Sequence, residues 1–127
     1  MHLLAVDFGT KNIGLAWADT TLGVVLPYGT VPGKTTEVKA AELARLIAEE
    51  QISKVLVGFP LGLGGSENKN TERVKKFVFE VQKKTSVPVE YVDERFSSQQ
   101  ADAMSGGATR DERAAMVLLQ SYLEKNK

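Results

Sequence analysis

The six residues KVLVGF, Lys54 to Phe59, constrain the fold of this chain more than any others. They make a short, continuous apolar run, the pattern of a strand buried on both faces. A sheet holding such a strand needs a covering layer on each side, because every apolar face must be packed against something. The flanking segments have the right periodicity to be those layers. From Thr36 to about Glu50, Val38, Ala41, Leu43, Leu46 and Ile47 give one apolar side of a helix. From Thr71 to about Lys84, Val74, Phe77, Val78 and Val81 recur at i, i+3, i+4 and i+7, which predicts a second helix.

The first thirty residues carry no helical period. Residues 3–8 read as a strand ending at Gly9-Thr10. From Asn12 to Ala18, Ile13, Leu15 and Trp17 point one way and Gly14, Ala16 and Ala18 the other, and the short link at Thr10-Lys11 predicts a hairpin. Gly23 to Val31 is a third strand, and Pro27 sends it to an edge or a bulge because proline has no N–H for a central ladder. Pro88 to Asp93 makes the fifth strand. Ser97 opens a short helix with Gln100 in capping-box position, stopped by Gly106-Gly107, and Thr109 opens the last helix with Glu112 three residues on. The order β-β-β-α-β-α-β-α-α predicts a mixed α/β sheet with helices on both faces. The first strand should be central and the third at the edge. Without repeats, low-complexity tracts or linkers, residues 1–127 are expected to be a single domain.

Strand ends and helix starts are where such a sheet places its chemistry. Asp7 ends the first strand, Asp93 and Glu94 end the fifth, and Asp111 lies in the first turn of the last helix. From Asp111, the i+4, i+7 and i+11 positions are Ala115, Leu118 and Tyr122, so it shares the stripe that presses on the sheet. If the first and fifth strands are close and this helix crosses them, the carboxylates converge. Converging carboxylates repel one another unless a cation sits among them. With oxygen ligands and no cysteine in the chain, the expected ion is Mg²⁺ or Mn²⁺, not zinc. Ions held this way can clamp the attacking and leaving oxygens in phosphodiester hydrolysis. Each acid also has a plainer reading. The helix dipole alone favours Asp111, and Asp93-Glu94-Arg95 can be a strand-end ion pair. Asp7, in an apolar strand with no adjoining cation, is the hardest to explain structurally.

The motifs VDFGTKNIGLA, VGFPLGLGGSE, VDERFSS and DERAAMVLLQSYLE, in this order across essentially the whole chain, resemble the YqgF/RuvX family. That resemblance implies an RNase H-like fold, a five-stranded sheet of order 3-2-1-4-5, and a nuclease acting on pre-16S rRNA or Holliday junctions. It implies Asp7 and Asp111 as metal ligands, with Asp93 or Glu94 between them. The family's D-E-R-[LF]-[ST] motif falls on Asp93 to Ser97. Two departures stand out: members often have a longer basic loop where this chain has only Ser105 to Arg110, and Gly64 replaces a usual aspartate.

Net charge is +0, so nucleic-acid contact must come from local clusters rather than from the whole chain. One such cluster is Lys69, Arg73, Lys75, Lys76, Lys83 and Lys84, a pattern that is more often a solvated helix face. The expected phosphate contacts are Thr10, Lys11, Arg73, Arg95 and Arg110. The start Met1-His2-Leu3-Leu4 has no basic leader, and no run nears the roughly 20 apolar residues of a membrane span, so a cytoplasmic protein is expected. Monomer and homodimer both stay open, since a junction resolvase needs two active sites and an RNA processor one. Two rival readings remain. One is a nucleotide phosphotransferase using Asp7-Phe8-Gly9-Thr10 as a phosphate hairpin, which lacks the second such domain. The other is a non-catalytic nucleic-acid-binding protein that kept the fold.

Overall fold

The computed structural model describes residues 1–8, 13–59, 69–93 and 110–125, with the backbone alone for 59, 69–71, 93, 110–111 and 125. Strand β1 (His2–Phe8) lies at the centre of a five-stranded sheet. On one side it pairs antiparallel with β2 (Ile13–Asp19), from His2 opposite Asp19 to Phe8 opposite Ile13. β2 in turn pairs antiparallel with β3 (Val24–Thr30) at the sheet's edge. On the other side β1 is parallel to β4 (Lys54–Phe59), and β4 is parallel to β5 (Val89–Asp93). The order is therefore 3-2-1-4-5, mixed, with β1 central as expected. Pro27 sits on the edge strand, and the register slips beside it: Leu15 faces Gly29 while Ala16 faces Pro27, leaving Tyr28 as the extra residue of a bulge. Gly29 takes φ +94° there, a conformation that a side chain would strain.

Strand alternation divides the core in two. Leu4, Val6, Ile13, Leu15, Val55 and Val57 face α1 (Thr36–Glu49) and α2 (Lys69–Gln82). Leu3, Ala5, Ala16, Ala18 and Leu56 face α3 (Arg110–Lys125), which contributes Ala115, Leu118 and Leu119. The continuous apolar run of β4 is thus explained: each face of that strand has its own helical cover. In α2 the four expected residues Val74, Phe77, Val78 and Val81 are all buried.

The buried stripe of α1 differs from the expected one. Ala40, Leu43 and Ile47 are buried, Leu46 flanks them, and Val38 and Ala41 are exposed. The stripe follows the i, i+3, i+7 line through Leu43, which leaves Ala41 about 100° off it. Val38 packs instead over the turn before the helix, where a Cβ on Gly33 would lie 2.9 Å from its Cγ1. Thr35 caps the helix, its side chain accepting the Val38 N–H at 3.2 Å. The short helix expected from Ser97 lies outside the described residues, as does Thr109.

Candidate functional site

Two contacts fix the direction of α3 across the sheet. Near its start, Glu112 Oε2 accepts the N–H of Gly29, at the far end of β3, at 2.7 Å. Near its finish, Tyr122 OH meets Lys54 Nζ at 2.9 Å, and Lys54 is the first residue of β4. That hydrogen bond, helped by the Glu90 carboxylate at 3.1 Å, holds the Lys54 pKa above its ordinary value. So α3 runs antiparallel to β1 and β4. Its N-terminal turn, with Asp111, arrives at the sheet end where β1, β4 and β5 all finish. Asp7 is the penultimate residue of β1 and Asp93 the last of β5. The elements carrying three of the four expected acids therefore meet at one end of the sheet.

Asp7 is the one buried charged residue among those described, 7% exposed. Its parity is that of Leu3 and Ala5, so it faces the α3 side. Among the described residues its carboxylate has no hydrogen-bond or ion-pair partner. Its neighbours across the sheet explain how there is room for one. Gly14 of β2 is directly opposite, and continuing the β1–β4 register past Val6 and Val57 brings Gly58 level on the other side. Neither has a side chain, so no side chain from either neighbouring strand stands directly beside the carboxylate, although both glycines are themselves buried. Neither glycine stands out as a site residue from the sequence pattern alone. The signal they carry is a general one: a glycine inside a strand often marks a close approach by a ligand or another backbone.

The other expected residues fall into three groups. Asp93, Arg110 and Asp111 have described backbone, at the end of β5 and in the first turn of α3. Thr10, Lys11, Glu94 and Arg95 lie outside the described residues. Arg73 is an exposed residue of α2 with its guanidinium 5.9 Å from the Phe8 ring centroid. It therefore reaches the end of β1, but on the sheet face opposite Asp7, because Phe8 packs with the α1/α2 core. Among the described residues, no three His, Asp or Glu side chains come together to hold a metal.

The chain matches the RuvX family, described as Holliday junction resolvase, over residues 1–125. It belongs to that family. RuvX relatives carrying the name "Putative pre-16S rRNA nuclease" align with nearly their whole length. One from Maridesulfovibrio salexigens is 30% identical over 98% of this chain and 99% of its own. One from Marinobacter nauticus is 36% identical over 95% of this chain and 91% of its own. The fold is similar to Thermus thermophilus RuvC in complex with a Holliday junction substrate, with a TM-score of 0.61, 14% identity, and 99% and 95% of the two chains covered. It is equally similar to the Fowlpox virus resolvase complexed with Holliday junction DNA, with a TM-score of 0.61, 17% identity, and 99% of each chain covered. The fold is thus RNase H-like, and by family this RuvX protein is a nuclease. Among the described residues no helix is long and apolar enough to cross a membrane.

Proposed function

We propose that residues 1–127 form one metal-dependent nuclease domain that hydrolyses phosphodiester bonds in pre-16S rRNA, in the cytoplasm. One observation carries this reading: a buried carboxylate, Asp7, flanked by two glycines at the sheet end where β5 finishes and α3 begins. Burying an unpaired carboxylate costs several kcal/mol, so a partner is required. The donor set fits a hard divalent cation, since the acids bring only oxygen. Asp7, Asp111 and Glu94 are the proposed ligands. The choice of Glu94 over Asp93 rests on alternation in the sequence: Val92 packs with the α3-side cluster, and Glu94 is two residues further along the chain. Mg²⁺ or Mn²⁺ in that place would polarise the scissile phosphate and lower the pKa of the attacking water. Asp7 would be one of the oxygen ligands holding that ion, and Gly14 and Gly58 put no side chain beside it. Thr10, Lys11, Arg73, Arg95 and Arg110 hold neighbouring phosphates.

Support for RNA over branched DNA comes from relatives that align along nearly their full length, whereas the junction-bound structures share the fold at 14% and 17% identity. The test is a labelled 16S precursor and a four-way DNA junction, each incubated with purified protein and either metal. The precursor should be cut. Asp7→Asn should slow cutting by at least about 10²-fold, the scale of a lost metal ligand. Cleavage of the junction alone would move the substrate to DNA. Cleavage that survives Asp7→Asn would take Asp7 out of the reaction.

A further inference from the structure

Asp7 and Phe8 are consecutive, yet they serve opposite faces of the sheet. On the Phe8 side, between the start of α1 and the second and third turns of α2, lies a concave pocket of about 240 Å³. Phe8 and Phe77, in edge-to-face contact at 5.0 Å, form its apolar floor. Among the described residues its charged lining is cationic: Lys34, Lys39, Arg73 and Lys76. Glu37 and Glu72, the acids of the two first turns, are not part of it. None of the four cations forms an ion pair with a described residue. They come from two helices and the turn before one of them, so no single charged helix face accounts for their meeting. Four like charges around one concavity raise the local potential and repel each other until an anion enters. An ordinary solvated lysine face is convex and spreads its charges apart.

We propose that Lys34, Lys39, Arg73 and Lys76 form a second phosphate site, across the sheet from Asp7, holding a backbone phosphate of the nucleic acid that flanks the linkage being cut. The proposal rests on the nuclease reading above for its substrate. The geometry supplies the rest. The pocket opens at the same end of the sheet as Asp7, where only the thickness of the sheet separates the two faces. A strand lying across the ends of β1 and β4 passes from one to the other. Arg73 over Phe8 adds a flat cation where a sugar or base would lie against the floor. Holding the chain on both faces fixes its direction over the cleavage site, which a single metal-centred contact does not.

The experiment separates this site from the chemistry. In an Asp7→Asn background, the affinity of full-length protein for the labelled precursor is measured between about 50 and 200 mM salt. Lys34 and Lys76 are both exposed, so Lys34→Gln/Lys76→Gln leaves the core untouched. This double variant should bind on the order of tenfold more weakly, with a salt slope shallower by roughly 0.7–0.9, the value for one lost phosphate contact. Lys83→Gln, whose ammonium already pairs with Glu80 on the same helix, is the control and should change neither quantity. Unchanged affinity in the double variant, or an equal loss in the control, overturns the proposal. So does inorganic phosphate that binds in the pocket without competing with the RNA, which would make it a site for free anions. Cleavage by the unaltered protein is scored separately. If cleavage fails but the double variant still weakens binding, the nuclease reading falls and the pocket stands; the reverse result removes the pocket alone.

Discussion

At Asp7 a full charge follows four residues, Leu3 to Val6, that are 0% exposed. A site arranged for a cation should be less stable without one. Removing the charge by Asp7→Asn should raise the unfolding free energy of the metal-free protein by about 1 kcal/mol, or roughly 4 °C in Tm. Mg²⁺ or Mn²⁺ should raise the Tm of the unaltered protein by mass action and leave the variant unmoved. Scanning calorimetry checks both, and a variant that melts lower would make Asp7 a structural residue. Asp19, at the other end of the sheet, shows a carboxylate satisfied by the protein itself. Burial pushes its pKa up, but the N–H groups of Thr21 and Leu22 outweigh it, helped by the N-terminus and His2, and hold it below 3.8. A lowered folded-state pKa contributes stability above 3.8 that is lost as pH falls through the lowered value. Asp19→Asn should therefore cost stability at neutral pH and progressively less on acidification. A gap that does not close with pH would show that the turn, not the charge, matters.

The decisive element is α3, since its first turn carries Asp111 and its register sets how that turn meets β1. Its start is anchored by a charged acceptor on a part-buried N–H, Glu112 on Gly29. Hydrogen bonds to charged groups contribute about 1.5–3 kcal/mol, the lower end applying to a site partly open to water. Glu112→Ala should thus destabilise by about 1–2 kcal/mol. It should also speed hydrogen exchange at the Gly29 amide and lower cleavage, through the looser placement of Asp111. Denaturant titration and amide exchange test this together. Protection of Gly29 that survives the substitution would mean that packing of Ala115, Leu118 and Leu119 alone positions the helix.

At the scale of the whole molecule, one sheet couples two cores, because β1, β2 and β4 contribute side chains to both. Phe77→Ala empties a position in the α1/α2 core and Leu118→Ala one in the α3 core; both side chains are almost completely buried. Each should cost about 3–5 kcal/mol. Leu118→Ala should shift the unfolding seen by Trp17, which packs on the opposite face, by the same amount as that seen by circular dichroism. Separate midpoints for the two probes would show that the faces unfold independently and that the α3 side, with the site, can open alone.

The elements themselves are local, and their periodicities were readable from the chain. Val74, Phe77, Val78 and Val81 had to share a helix face; Ile13, Leu15 and Trp17 had to share a strand face. The apolar run of β4 demanded cover on both sides, and Pro27 demanded an edge. The burial of Asp7 was legible because its strand neighbours are apolar and no cation adjoins it. The alignments between elements were not legible. No spacing in the sequence says that Glu112 meets Gly29 across 83 positions, or that Gly14 and Gly58 stand on either side of Asp7. Nor does any local pattern bring Lys34 and Lys39 to Arg73 and Lys76 around Phe8. The stripe of α1 was misjudged for the same reason: an apolar list offers several adjacent faces, and only the sheet decides which one is covered. Periodicity is a property of one element, determined by its own backbone geometry. Register and crossing direction belong to pairs of elements, and only the folded chain chooses them.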